Sequence, residues 1–158
     1  MVVTNVTKST IVQSIWNNFY DRISANVKTV TLVDSSKQTI QTYTAAFPSK
    51  SFDSKDNFPI LIIDTPKFST DFYTLTRSIV DGNIDIEIYT TKSESADKFV
   101  DAIFNSIETY KNDLRGGGIK MIELNSVDFD MFERGRMKIH MRRLNFTFQF
   151  VYDKTKTY

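Results

Sequence analysis

The chain has 158 residues, of which 41% are apolar and 25% charged, and a formal net charge of +1. That fits one globular domain with a substantial core and excludes the strong basic excess of a dedicated nucleic-acid binder. Cysteine is absent, which excludes disulfides and thiolate metal sites. No apolar run approaches the roughly 20 residues that cross a bilayer. The opening Met1-Val2-Val3-Thr4-Asn5 lacks the basic-then-apolar pattern of a signal peptide, so no membrane partner is expected.

Ile11, Val12, Ile15, Trp16, Phe19, Tyr20 and Ile23 follow helical spacing and predict an amphipathic helix over about 10–25, capped by Ser9 or Thr10. Val27 to Val33 is β-branched and reads as a strand. The turn Asp34-Ser35-Ser36-Lys37 leads into a second strand, Thr39 to Phe47, completing an N-terminal hairpin. Pro48 to Asn57 is polar and reads as a mobile loop. Phe58 to Asp64 reads as a short buried strand. Asp71 to Val80 and Asn83 to Thr90 read as strands joined at Asp81-Gly82, a hairpin signal. In the second, Ile84, Ile86 and Ile88 face one way and Asp85, Glu87 and Tyr89 the other.

Thr91 and Glu94 have the spacing of a capping box. Ala96, Phe99, Val100, Ile103, Phe104, Ile107, Tyr110 and Leu114 continue it as an amphipathic helix, stopped by Gly116-Gly117-Gly118. Ile119 to Leu124 is a strand, followed by a less regular stretch, Asn125 to Glu133. Arg134 to Tyr152 reads as a long final strand in which Arg134, Arg136, Lys138, His140 and Arg142 share one parity. From Leu144 that parity becomes apolar with Phe146, Phe148, Phe150 and Tyr152. A flip of this kind predicts an extra residue or a bend, placed at Arg142–Arg143. The whole predicts an α+β domain over 1–158, a mainly antiparallel sheet packed by two amphipathic helices. Hairpin and loop occupy 27–57, core sheet and helix 58–152, and a polar tail 153–158.

Little in the chain points to catalysis. The single histidine, His140, sits within the basic row and offers no triad. Phosphate-loop and dinucleotide patterns are absent. Asp128, Asp130 and Glu123 have the oxygen ligands of a hard-cation site, but alternating carboxylates on a strand are ordinarily solvated or paired. No cofactor and no metal are expected. The candidate contact residues are Arg134, Arg136, Lys138, His140, Arg142 and Arg143. They have four readings: pairing with an acidic row such as Asp85 and Glu87, a subunit or partner interface, contact with DNA phosphates, or plain solvation.

The order of segments adds a resemblance. An apolar "FPILIID" precedes a strand ending "GNIDIEIYTT". A helix "SADKFVDAIFNSIETYKNDL", a glycine turn, a strand and a final "MKIHMRRLNFTFQFVYD" follow. This order resembles the tail-terminator (tail-completion) proteins of long-tailed bacteriophages and, more loosely, their minor head–tail joining proteins. The resemblance implies a virion structural protein made in the host cytoplasm. It implies a ring, commonly a homohexamer, that caps the head-proximal end of the tail tube. Its expected partners are other copies of itself, the tail tube protein, the neck or connector protein and, transiently, viral DNA in the lumen. The alternatives are a head–tail connector and, in another class, a small ligand-binding or enzymatic α+β domain. On the interface reading, replacing Arg142 and Arg143 with Glu impairs assembly and leaves the monomer folded.

Overall fold

The structure, a computed structural model, describes residues 11–72 and 77–153. The predicted caps Ser9 and Thr10 and the tail from residue 154 lie outside the described residues.

The chain forms an α+β fold. Helix α1, Ile11–Asn26, opens it. Strands β1, Thr29–Thr31, and β2, Lys37–Thr39, pair antiparallel as a separate N-terminal hairpin. The predicted second strand over 39–47 is divided. After Ile40 and Gln41 the chain leaves the hairpin, and β3, Thr42–Thr44, joins the main sheet parallel to β4, Ile60–Ile63. The main sheet has the order β3-β4-β6-β8-β7, with β5, Lys67–Phe72, pairing β6, Arg77–Thr90. Strand β7 spans Lys120–Arg134 and β8 spans Met137–Asp153. All of its pairings except β3–β4 are antiparallel.

The helices cover one face. Ile15, Phe19 and Ile23 of α1 meet Phe99, Ile103 and Ile107 of α2, Ser93–Thr109, over Ile84, Ile86, Ile88, Leu144, Phe146, Phe148 and Phe150. The isoleucine and phenylalanine rows of β6 and β8 are therefore core, as their period-two spacing predicts. Trp16 Nε1 donates to the Ile63 carbonyl at 2.7 Å and ties α1 to β4. The predicted long helix breaks at Tyr110, and α3, Lys111–Gly116, follows before Gly118 adopts φ +96°.

Three expectations are corrected. Asp81 and Gly82 are not a turn. Both lie inside continuous β6, opposite Gln149 and Phe148. The hairpin is β5–β6, with its connection at 73–76 outside the described residues. Gly82 is required for space: a Cβ there would lie 2.6 Å from Phe148 Cζ, because the ring crosses over the glycine. Secondly, Thr91 and Glu94 form no capping box. Helix α2 starts after Lys92 without a side-chain cap, and Glu94 Oε1 instead accepts from the Val33 N–H at 2.6 Å, tying the small hairpin to the helix.

Thirdly, β8 has no bulge at Arg142–Arg143. Its register with β6 runs unshifted from Thr90 opposite His140 to Asp153 opposite Arg77. The extra residues lie in β7, in register shifts between Lys120 and Glu123 and between Leu124 and Ser126. The hydrophobic phase changes because the covering elements change. Helices bury the even-numbered row from Leu144 to Phe150. On the other face, Ile139 and Met141 of the odd-numbered row are buried by a different cap.

That cap is the predicted mobile loop. Ser49–Asp53 and Lys55–Asn57 form two 3-10 turns. Phe52 is fully buried between them and the sheet, among Phe58, Ile60, Ile62, Tyr89, Ile139 and Met141. Phe47 stacks on Phe52, while Phe58 and Tyr89 meet it edge-on at centroid distances of 5.2 and 4.9 Å. Burying one such ring stabilises by about 1.5–3 kcal/mol, so the segment is a packed lid over the second face.

Candidate functional site: the hairpin arm

The six candidate contact residues fall on one structural unit, the arm made by the tip-proximal halves of β7 and β8. Their arrangement is not the single row that parity predicts. A tight turn at Gly135-Arg136, with Gly135 at φ +63°, separates Arg134 on β7 from Lys138, His140 and Arg142 on β8. Residues directly opposite in an antiparallel pair project from the same face. Arg134 stands opposite Met137 and so lies on the lid side. Lys138, His140 and Arg142 stand opposite Glu133, Met131 and Phe129 on the helix side. Arg143, one residue on, returns to the lid side.

Three of the six have internal partners. Arg134 pairs with Asp53 of the lid at 2.6 Å, closing the lid onto the arm. Arg142 donates through Nε to Asp97 at 2.8 Å and through an Nη to the Ser93 hydroxyl at 3.1 Å. It thereby ties β8 to the start of α2, and it also lies 5.8 Å from the Phe129 ring centroid. Arg143 donates to Glu87 Oε1 at 2.7 Å, directly across from it on β6. Glu87 is nearly buried and also accepts from the Tyr89 hydroxyl at 2.7 Å. The Arg143–Glu87 hydrogen bond raises Arg143 above the ordinary arginine value. Burial, helped by the Glu87 contact, pushes Tyr89 far above the ordinary tyrosine range. Asp85, the other predicted acid, accepts from Asn145 at 2.7 Å.

These contacts change what an arginine reversal does. A glutamate at Arg143 would face the nearly buried carboxylate of Glu87, so the double replacement of Arg142 and Arg143 tests the monomer's folding as well as its assembly. Arg136, Lys138 and His140 make no ion pair among the described residues. Arg136 and Lys138 are exposed and, with Lys55 of the lid, line an open recess of about 500 Å³ at the tip of the arm.

The arm also carries a feature that the sequence reading passed over. Val127, Phe129 and Met131 of β7 are 41%, 80% and 53% exposed and form an apolar stripe on the helix side. They lie beside Leu144, Arg142 and His140, beyond the width that the helices cover. Strand β7 ends the sheet, so its outer backbone edge has no strand partner among the described residues. The signal was present as plain alternation, Val127-Asp128-Phe129-Asp130-Met131. The bulges just upstream disguised it as irregular chain.

Glu123, Asp128 and Asp130 do not converge; among the described residues, no three histidine or acidic side chains group as a metal site would. No protein-family model matches the chain, and no curated protein matches it.

Proposed function

We propose that this chain is a non-enzymatic assembly protein of a virion, a tail terminator whose copies form a ring on the head-proximal end of a phage tail tube and join it to the neck. The observation that carries the reading is the exposed stripe of Val127, Phe129 and Met131 on an unpaired sheet edge. A 15-residue edge strand with exposed apolar side chains is a liability that soluble proteins ordinarily blunt or cover. Here it is readily understood as the part of the molecule that a neighbour covers. The basic tip beside it gives the arm a polar rim, the usual anatomy of a specific interface. Passing DNA would meet cations here only in transit, because most of the arginines are held by acids of the same chain. A connector or neck protein of the same virion would use the same kind of surface.

The test is electron microscopy of a lysate lacking this gene. Overlong, headless tails are expected of a lost terminator. Tails of normal length beside filled heads would move the protein to the connector, and intact infectious particles would end the virion reading.

A further inference from the structure

Positive and negative charges nearly cancel in this chain, yet they are segregated. The tip of the arm carries exposed Arg136 and Lys138, with exposed Lys55 of the lid beside them. Of the acids beside them, Asp53 is paired with Arg134, Glu133 stands opposite Lys138, and Asp56 adjoins Lys55.

The opposite charge gathers on the lid side of the sheet, the side away from the helices. Asp128 stands opposite Arg143, and Asp130 opposite Met141, both exposed. Asp85 and Asp81 stand opposite Asn145 and Gln149 on the same face. Both accept from those amides. Asp64 extends the row across β4, its N–H donating to the Asp85 carbonyl at 2.9 Å. Four cations border this face: Arg134 is paired with Asp53, and exposed Lys120 stands opposite Gln149. Arg143 is held by Glu87, and Lys67 stands at the far wall of a trough of about 570 Å³ floored by Asp81, Asn83, Thr147 and Gln149. Burial, together with the carboxylates of Glu87 and Asp85, pushes the Asp64 carboxyl above its ordinary value.

We propose that the basic arm tip of one copy docks on this acidic face of a second copy, with Lys55, Arg136 and Lys138 set against Asp64, Asp85, Asp128 and Asp130 of that second copy. The inference rests on the ring-forming reading and names the contact that builds the ring. The occupant follows from charge complementarity. Phosphates would be drawn to three cations but repelled by the acids of the lid-side face, and the net charge of +1 gives no long-range pull. A second copy presents the exact complement of each patch. Because the patches differ, the contact is heterologous: it leaves a free tip at one end and a free acidic face at the other, and it propagates head to tail until the rotation closes a ring.

Charge exchange tests this directly by sedimentation velocity on the full chain. One variant carries Arg136→Glu with Lys138→Glu, the other Asp128→Lys with Asp130→Lys; all four positions are exposed. Each variant alone should self-associate about a hundredfold more weakly than wild type, with unchanged circular dichroism. Mixed in equal amounts they should reassemble, since each supplies the charge that the other has lost. Wild-type assembly should also weaken as salt rises, a readout that needs no variant.

An oligomeric wild type whose association ignores salt, or variants that assemble alone as wild type does, would overturn the proposed contact and leave the ring reading standing. A mixture of folded variants that stays dissociated would do the same. A wild type that is monomeric at every salt concentration would overturn both. Duplex DNA binding lost in the Arg136 and Lys138 variant while its assembly is unchanged would assign the tip to nucleic acid instead.

Discussion

Two apolar clusters lie on opposite faces of one sheet, and they are sealed in different ways. On the helix side, α1 and α2 lay regular stripes over Ile84, Ile86, Ile88 and the even-numbered row of β8. On the lid side, a short 3-10 segment seals a smaller aromatic cluster through one fully buried ring, Phe52, and one ion pair, Arg134–Asp53. The large cluster has redundant support from helices and strands. In the small one, a single side chain holds a segment otherwise made of Ser, Asp and Lys. The difference teaches that the arm is capped on its lid side and, beyond the Arg142 tie to α2, left open on its helix side, where the Phe129 stripe meets solvent.

The largest expected effect is on the large cluster. Phe146→Ala removes a fully buried ring from the middle of the sheet and should cost about 4 kcal/mol of global stability, read by urea denaturation. Phe52→Ala should cost about 3 kcal/mol, but its effect should be local. Amide exchange should rise in 49–57 and at the arm tip while the amides of β6 remain protected. If Phe52→Ala lowers protection uniformly, the two clusters are one cooperative unit and the contrast fails.

Gly82→Ala comes next. The added methyl meets the buried Phe148 ring, so a loss of about 2 kcal/mol is expected. A neutral result would show that the ring can move and that the glycine has no packing role. The neighbouring arginines sharpen the contrast between faces. Arg143→Leu strands the nearly buried Glu87 carboxylate and should cost about 1–2 kcal/mol. Arg142→Leu breaks a pair whose acid, Asp97, is 64% exposed and should cost well under about 1 kcal/mol. Equal losses in thermal melts of the two variants would contradict the assignment of the two side chains to opposite faces.

The helices and the central strands were legible because burial on one regular face leaves a regular period: Ile15, Phe19 and Ile23 on α1, and Phe146, Phe148 and Phe150 on β8. What misled the reading was non-local. Asp81-Gly82 has the composition of a hairpin turn, but the glycine answers to Phe148, 66 positions away and across a strand pair. The parity flip in β8 looks like a bulge because one-dimensional alternation cannot say which element covers which face. The lid was hidden because its anchor is one phenylalanine in a polar run. Among the candidate contacts, the cations were visible as a row, and Glu87 as a partner followed from their alternating spacing. Their division between two faces depends on the Gly135-Arg136 turn, and the apolar stripe was concealed by the bulges that precede it.

The most direct test of the arm as the working surface is sedimentation velocity of Phe129→Asp beside wild type. Phe129 is 80% exposed, so the substitution should leave circular dichroism and melting unchanged. Wild type should sediment as a closed oligomer and the variant as a monomer. A folded variant that assembles as wild type does would contradict the arm's role and leave the exposed stripe without a purpose.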